Sequence, residues 1–238
     1  MTGGAVAVWQ ATIFAQMDND LGRPDSARRD MEDTLAQMVN LGQIQTLVPC
    51  LEQLARADAT LGLVNEAAQA IQQYLDALDR NPFLHWECTM PILFACRWYA
   101  RRGTPEASEA ARACLRRLER AHAQMRSPRT AAALAEARAI VAAASDDVAQ
   151  AVTDYRRAIA AWEGLGHHYD CARALNDLSR VLIGAGEIKD ARAAIESARH
   201  MTDALAAQLV NKELRQSFGN SQLVQALRNS HAALVNVL

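Results

Sequence analysis

Apolar residues recur along the chain at the three- and four-residue spacing of amphipathic α-helices. This spacing places Leu47, Leu51 and Leu54 on one face, and a second apolar stripe begins at Ala67, just after Gly62. The alternation of apolar and polar residues that half-buried strands require is almost absent. The pattern therefore predicts an all-α protein in which helices follow one another closely.

A short turn motif recurs with a period near forty residues. Its glycines are Gly22, Gly62, Gly103 and Gly186, and a degenerate copy without glycine covers residues 145–149. Glycine ends a helix well because it adopts the left-handed conformation without a Cβ penalty. Pro24 and Pro105 follow two of these glycines and suit the first turn of a new helix. Each copy therefore predicts one antiparallel helix pair.

Five helix pairs fit the sequence, followed by a C-terminal cap. The pairs cover about residues 5–40, 43–79, 83–123, 129–163 and 167–203, and the cap at 204–238 has helices at about 204–217 and 221–238. One pair cannot bury both of its faces, so neighbouring pairs stack. We expect a single domain over residues 1–238, folded as a right-handed α-solenoid. The 48 alanines suit this fold because small side chains let helices pack closely.

The repeats resemble the tetratricopeptide repeat (TPR), which has Gly near the turn and small or apolar residues at set positions of both helices. The fifth pair matches this pattern at Leu175, Leu178, Ser179, Leu182, Gly186, Ala191, Ile195 and Ala198. The resemblance covers about residues 5–203. It implies a TPR-like superhelical domain whose A helices, the first of each pair, line a concave surface that binds a protein or peptide.

The repeats are longer than usual for this family, and in this they look like the C-terminal sensor arms of signalling (STAND) ATPases and large ATP-dependent LuxR-type regulators. Residues 162–166 and 214–218 strengthen the likeness. In that family the arm receives the signal while a separate domain handles ATP. The sequence shows neither a GxxxxGK phosphate loop nor a DNA-binding helix-turn-helix. The likeness implies an arm, either excised from a larger chain or independent.

The TPR resemblance also implies a partner-binding face. We assign to it Arg56, Arg97, Arg101, Arg173, Asn176 and Arg180. Arg56, Arg97 and Arg180 fall on the same position of three repeats, where they would form a cationic ridge. Such a ridge suits an acidic or C-terminal carboxylate segment of a protein partner. In the alternative, Glu52 and Glu136 neutralise these arginines, or the arginines are solvated.

The charge is nearly balanced over the whole chain but not along it. There are 25 basic and 27 acidic residues, a net charge of −2, which argues against nucleic acid or an anionic membrane as a partner. Residues 97–129, however, hold nine Arg and three Glu. Arg112, Arg116 and Arg120 form a basic stripe there at i, i+4 spacing. The sequence leaves open whether this stripe binds an acidic partner or nucleic acid, or is only solvated.

The sequence offers no catalytic or metal-binding constellation. None of the six histidines forms HExxH, and His85 with Cys88 supplies two ligands where zinc requires three or four. We therefore expect no enzyme activity, no cofactor and no metal. The five widely spaced cysteines predict reduced thiols, and no apolar run is long enough to cross a membrane. We expect a cytoplasmic location, because the N-terminus also lacks a signal-peptide pattern.

These observations favour a non-catalytic protein–protein interaction scaffold, the sensor or partner-binding arm of a signalling or transcription-regulatory protein. The alternative is a small-molecule effector-sensing domain, with the effector near Trp9, Trp98 or Trp162. The sequence does not identify the partner or effector, and homo-oligomerisation stays open.

Overall fold

The computed structural model describes residues 3–38, 44–80 and 88–237. These residues form helices and no strand, as the apolar spacing predicts. The helices are α1 Gly3–Asp20, α2 Pro24–Met38, α3 Ile44–Leu61, α4 Val64–Asp79, α5 Thr89–Ala100, α6 Pro105–Met125, α7 Pro128–Ala143, α8 Val148–Gly164, α9 His168–Gly184, α10 Ile188–Gln208, α11 Lys212–Gly219 and α12 Gln222–Val237. Among the described residues, no helix is both long and apolar enough to span a bilayer.

Helix pairs are present, as the fold class predicts, and two bounds near the C-terminal end differ from those expected. α3 with α4, α7 with α8 and α9 with α10 each pack together as a pair. α10 runs to Gln208, past the predicted end at residue 203, so α11 begins only at Lys212. The predicted boundaries at residues 40, 43 and 83 lie outside the described part of the chain.

The turn inside the fourth pair keeps its backbone shape without a glycine. Gly62 and Gly186 adopt left-handed φ angles of 78° and 77° in their turns, and Asp146 adopts 57° in the degenerate copy. Aspartate tolerates this conformation better than most residues other than glycine. The next residue, Asp147, caps α8 by accepting a hydrogen bond from the backbone N–H of Gln150 at 3.1 Å.

Alanine supplies much of the buried surface between helices. α7 packs against both α6 and α8. Its buried alanines are Ala132, Ala133, Ala135, Ala137, Ala139 and Ala142. Because alanine adds one methyl group beyond the backbone, it lets two neighbouring helices approach α7 closely. The same helix buries a single carboxylate, that of Glu136.

The chain divides into two compact units. Unit 1 comprises Met1–Pro91 and Glu213–Gln222, and unit 2 comprises Ile92–Lys212 and Leu223–Leu238. The expectation of one domain over residues 1–238 stays a prediction.

In unit 1, the end of α11 lies against the turn between α1 and α2. A Cβ added to Gly22 would lie 2.8 Å from the Cα of Ser221 and 3.1 Å from the carbonyl oxygen of Ser217. A Cβ added to Gly62 would meet nothing within 4 Å. Gly22 is therefore required by the close approach of α11 as well as by its own left-handed φ of 75°.

In unit 2, α12 buries one of its faces. That face consists of Leu223, Leu227, Ser230 and Leu234. The hydroxyl of Ser230 donates a hydrogen bond to Oδ1 of Asn176 on α9 at 2.9 Å. The last helix of the chain therefore packs on the A helix of the fifth pair and satisfies one of its buried polar groups.

Candidate functional site

Six charged side chains in unit 2 form a continuous line of alternating charge, which we call the ion chain. In order they are Arg101, Asp177, Arg97, Glu136, Arg173 and Asp170. Asp177 on α9 accepts hydrogen bonds from Nε of Arg97 at 3.2 Å and from Nη2 of Arg101 at 3.3 Å. Nη2 of Arg97, on α5, also donates to Oε1 of Glu136 on α7. Three guanidinium groups face three carboxylates, so the ion chain is neutral as a whole.

Glu136 lies at the centre of the ion chain and is fully buried. Its Oε2 accepts a hydrogen bond from the indole Nε1 of Trp162 at 2.8 Å and one from Nη2 of Arg173 at 3.2 Å. A buried carboxylate is costly unless hydrogen bonds and opposite charges replace its water. Because these donors come from α5, α8 and α9, Glu136 ties three helices to α7.

The other end of the ion chain is built at the start of α9. Asp170 accepts a hydrogen bond from Nη1 of Arg173 at 2.5 Å, and its Oδ2 lies 3.2 Å from Nδ1 of His167. The turn at Gly166, with φ of 70°, leads the chain from α8 into α9. His167 then stacks on the ring of Trp162, with 5.4 Å between the ring centroids.

The charges of the ion chain reinforce one another. Burial alone would raise the pKa of Asp177, but Arg101, Arg97 and Arg173 together lower it below its ordinary value. Burial acts in the same way on Asp170, and Arg173 and His167 lower its pKa. Burial would lower the pKa of Arg173, whereas Glu136 and Asp170 raise it. These three groups are therefore charged at neutral pH. The ion pairs of the ion chain connect α5, α7 and α9.

The ion chain reaches solvent at Arg101, just after α5. The Arg101 side chain is 44% exposed. Arg180 is also exposed and follows Asp177 by one turn on the same side of α9. Within the residues that the structure describes, Arg180 forms no ion pair. Beside Arg101, the guanidinium of Arg102 lies over the ring of Trp98, 4.1 Å from its centroid.

The six predicted partner-binding residues differ in their surroundings. Arg101 and Arg180 are exposed, whereas Arg97 is 7% and Asn176 is 2% exposed. Glu136 neutralises Arg97 and Arg173, as in the alternative that the sequence left open. That these residues bind a partner stays a prediction.

The sixth predicted residue, Arg56, belongs to unit 1. Its Nη2 forms an ion pair with Oδ1 of Asp20 at 2.5 Å, and its side chain is 19% exposed. Glu52, the predicted neutralising partner, is buried. Arg56 is thus a separate candidate that does not belong to the ion chain.

The sequence-based prediction did not include Asp170 and Asp177. A signal was present, because Asp170, Arg173 and Asp177 alternate in sign at i, i+3 and i+7 along one side of a helix. Without the positions of α5 and α7, however, that spacing is equally typical of a solvated helix face. The burial of the ion chain became evident only from the packed structure.

The predicted basic stripe lies on α6. Nε of Arg112 donates to Glu109 at 3.0 Å and Nη2 of Arg116 donates to Glu109 at 2.8 Å. These two arginine side chains are 43% and 59% exposed. Exposed pairs of this kind contribute little to stability, so this part of the stripe is not needed to hold the fold together. Binding of an acidic partner or nucleic acid by the stripe stays a prediction.

The described part of the chain contains no candidate metal site, and its cysteines are buried. No group of three His, Cys, Asp or Glu residues there is arranged to hold a metal ion. The cysteines are buried free thiols, and burial raises the pKa of Cys171 to about 11. Cys171 is therefore a protonated thiol at neutral pH. His85, half of the weak zinc pair, lies outside the described residues.

Comparison with known proteins supports the fold. No protein-family model and no curated protein matches the sequence. The crystal structure of BtubC (BKLC) from P. vanneervenii is similar, with 18% identity, a TM-score of 0.59, and coverage of 87% of this chain and 84% of that chain. A kinesin light chain candidate from Podosopora anserina with nearly identical TPR-like repeats gives 17% identity and a TM-score of 0.52 over 89% of this chain and all of that chain. A second structure of that repeat protein gives 0.53. The predicted fold class, an all-α solenoid of TPR-like helix pairs, is confirmed.

Proposed function

We propose that this chain is a non-catalytic protein–protein interaction scaffold that binds an acidic segment of a partner on the A helices of unit 2. One observation carries the proposal: Arg101, which pairs with Asp177, and Arg180, which follows Asp177 by one helical turn, are both exposed in a fold of TPR-like repeats. Repeat proteins of this architecture use extended surfaces of stacked helices to grip partners.

The ion chain explains how Arg101 would bind. Asp177 holds the Arg101 guanidinium at 3.3 Å, and Arg97 on the other side of Asp177 fixes that carboxylate. A side chain held in place before binding loses less conformational entropy when a partner carboxylate arrives. The guanidinium groups would meet such a carboxylate with two parallel hydrogen bonds. In this proposal Arg97, Arg173 and Asn176 support the site from within, and Arg56 is a separate contact in unit 1.

A finer part of the proposal is that the chain serves as the sensor arm of a signalling or transcription-regulatory protein in the cytoplasm. The support is the resemblance of the long repeats and of residues 162–166 and 214–218 to such arms. Five buried free thiols suit a reducing compartment. Sequencing the flanking reading frame tests this role. An ATPase module in the same frame would support it, and an unrelated catalytic domain there would contradict it.

The effector-sensing alternative gains no support from Trp162. Its ring is fully buried, and its Nε1–H is already engaged by Glu136. An effector would have to break the centre of the ion chain to reach this ring. Trp98 is half-buried, and the guanidinium of Arg102 covers one face of its ring, so that face is not available to a ligand.

The proposed site is tested by charge reversal at its exposed end. The partner is first captured on the full chain and identified, and its affinity is then measured by calorimetry. We expect Arg101→Glu with Arg180→Glu to weaken binding by about tenfold or more, because two carboxylate contacts become repulsive. Arg112→Glu with Arg116→Glu is the matched control, with the same change in net charge on α6. Equal affinity of the folded Arg101→Glu, Arg180→Glu variant and the wild type would overturn the proposal.

A further inference from the structure

A groove between α10 and α12 lies outside the ion chain. The groove encloses about 210 Å³. Its floor is apolar, since Ile195 is 1% exposed and Leu234 is 2% exposed. Val235 stands at its edge with 55% of its surface exposed. The groove therefore has a small apolar surface that is open to solvent.

The rim of the groove is cationic. Arg192 and Arg199 line it from α10, two turns apart on one side of the helix, and His231 lines it from α12. In the part of the chain that the structure describes, neither guanidinium forms an ion pair, although Glu196 lies between them in sequence. The groove is lined by two arginines and one glutamate, so among these side chains positive charge exceeds negative charge. An anionic occupant is therefore favoured at the rim.

The size of the groove distinguishes between classes of ligand. Sites for small molecules and cofactors usually enclose about 300–1,000 Å³. The 210 Å³ available here is less than that and suits a single apolar side chain. An isolated side chain of this kind, flanked by negative charge, is a feature of a polypeptide rather than of a metabolite.

We propose that the groove between α10 and α12 binds an acidic segment of a partner protein that carries one apolar anchor residue. The anchor rests on Ile195 and Leu234, and carboxylates on either side of it accept hydrogen bonds from Arg192 and Arg199. This surface is distinct from Arg101 and Arg180, so the chain would hold a partner, or two partners, at two places. The inference rests on the proposed scaffold function only in that the ligand is a protein.

The first test uses short synthetic peptides and the full chain labelled with ¹⁵N. The probe has one leucine within a run of glutamate and aspartate, and its two controls replace the leucine by glycine or the acids by lysine. We expect the probe to shift amide signals of α10 and α12, and the glycine peptide to bind about tenfold more weakly, because it has no apolar side chain to bury in the groove. The lysine peptide should not bind.

The second test locates the site by mutation, with affinities from fluorescence anisotropy. Arg192→Glu with Arg199→Glu should weaken the probe about tenfold or more, and Val235→Asp should weaken it several-fold. Arg112→Glu with Arg116→Glu makes the same change in net charge elsewhere in unit 2 and should leave the affinity unchanged. Arg180→Glu, on the other proposed surface, should leave the shifts that the probe causes in α10 and α12 unchanged.

Each other outcome contradicts the inference. Absence of shifts in α10 and α12 at millimolar peptide shows that the groove does not take such a segment. Equal weakening by the α6 control shows non-specific electrostatic attraction. Loss of binding in Arg180→Glu alone assigns the peptide to the Arg101 and Arg180 surface, which would support the proposed function while overturning this inference.

Discussion

The arginines of α5 and α6 belong to one basic segment of the sequence, yet the structure uses them in opposite ways. Arg97 of α5 is buried between Glu136 and Asp177, which lie 39 and 80 residues further along the chain. Arg116 of α6 stays in solvent and pairs with Glu109 of its own helix. The difference shows that a run of charge in a sequence does not define one surface. What separates the two is whether acids from other helices converge on the arginine.

The two kinds of pair also differ in what they contribute to stability. An exposed pair exchanges good hydration for a weak attraction, and its net contribution is about 0–1 kcal/mol. Removing one partner of a buried pair leaves an uncompensated charge, which costs about 3–5 kcal/mol. The comparison therefore predicts an order of effects among variants that change a single charge.

The largest effect is expected for Glu136→Ala. This change leaves Arg97 and Arg173 buried without their shared carboxylate and removes the acceptor of Trp162. We expect the free energy of unfolding to fall by about 3–5 kcal/mol, measured by urea denaturation at pH 7. Glu136→Gln, which keeps the shape and one acceptor, should lose about 1–3 kcal/mol.

The matched control for Glu136→Ala is Glu109→Ala. It also removes one carboxylate shared by two arginines, but on the exposed face of α6. We expect its urea midpoint to stay close to that of the wild type. Similar losses in the two variants would show that burial does not distinguish the two sets of arginines.

The next effect is expected for Arg97→Ala. Glu136 keeps Arg173 and Trp162 as donors, and Asp177 keeps Arg101, so neither carboxylate is left without a partner. The loss should therefore be smaller than for Glu136→Ala, about 2–4 kcal/mol. Urea denaturation checks it beside Arg116→Ala, which makes the same truncation on α6. If the free energy of unfolding fell no further than in Arg116→Ala, the contacts of Arg97 in the ion chain would contribute nothing to stability.

The pH dependence distinguishes the two regions in a further way. Arg101, Arg97 and Arg173 lower the pKa of Asp177 in the folded state despite its burial, so the unfolded state binds a proton more readily. The stability contributed by Asp177 is thus complete above its unfolded pKa, about 3.9, and is lost as the pH falls from there through the folded pKa. We expect a steep loss of the urea midpoint below about pH 4.

Variants assign this acid sensitivity to the ion chain. Asp177→Asn should be less stable than the wild type at pH 7 and should show a shallower dependence below about pH 4. Arg116 and Arg112 also lower the pKa of Glu109, but this group is exposed and its interactions are screened by salt. Glu109→Gln should therefore keep the steep acid limb in high salt. Loss of that limb in Glu109→Gln and its retention in Asp177→Asn would reverse the assignment.

The sequence predicted the features of this fold that depend on local residues. The helix pairs follow from glycines such as Gly62 and Gly186, because their left-handed turns are decided within a few residues. Asp146 adopts the same conformation without a glycine, so its place in the repeat was evident only as a gap in the period. The contact of α11 with Gly22 had no local signal at all.

The candidate site was predictable only in part, for the same reason. The TPR pattern correctly identified Arg97, Arg173 and Asn176 as residues of A helices. It does not indicate which side chains of other helices contact them. Asn176 meets Ser230, which is 54 residues away in sequence. Such long-range partners decide whether a polar residue is exposed for binding or buried as support.

The smallest effect is expected for Arg112→Ala with Arg116→Ala. Both side chains are more than two-fifths exposed, and their shared partner Glu109 stays hydrated when they are removed. The melting temperature should change by less than about 2 °C, and added salt should reduce even that difference. Arg138→Ala is the control. It also removes an exposed ion pair, but one that joins α7 to Glu119 of α6 and so lies between two helices. A fall of several degrees in the Arg112→Ala, Arg116→Ala variant would show that α6 holds the fold together through its charges, and the contrast with α5 would then fail.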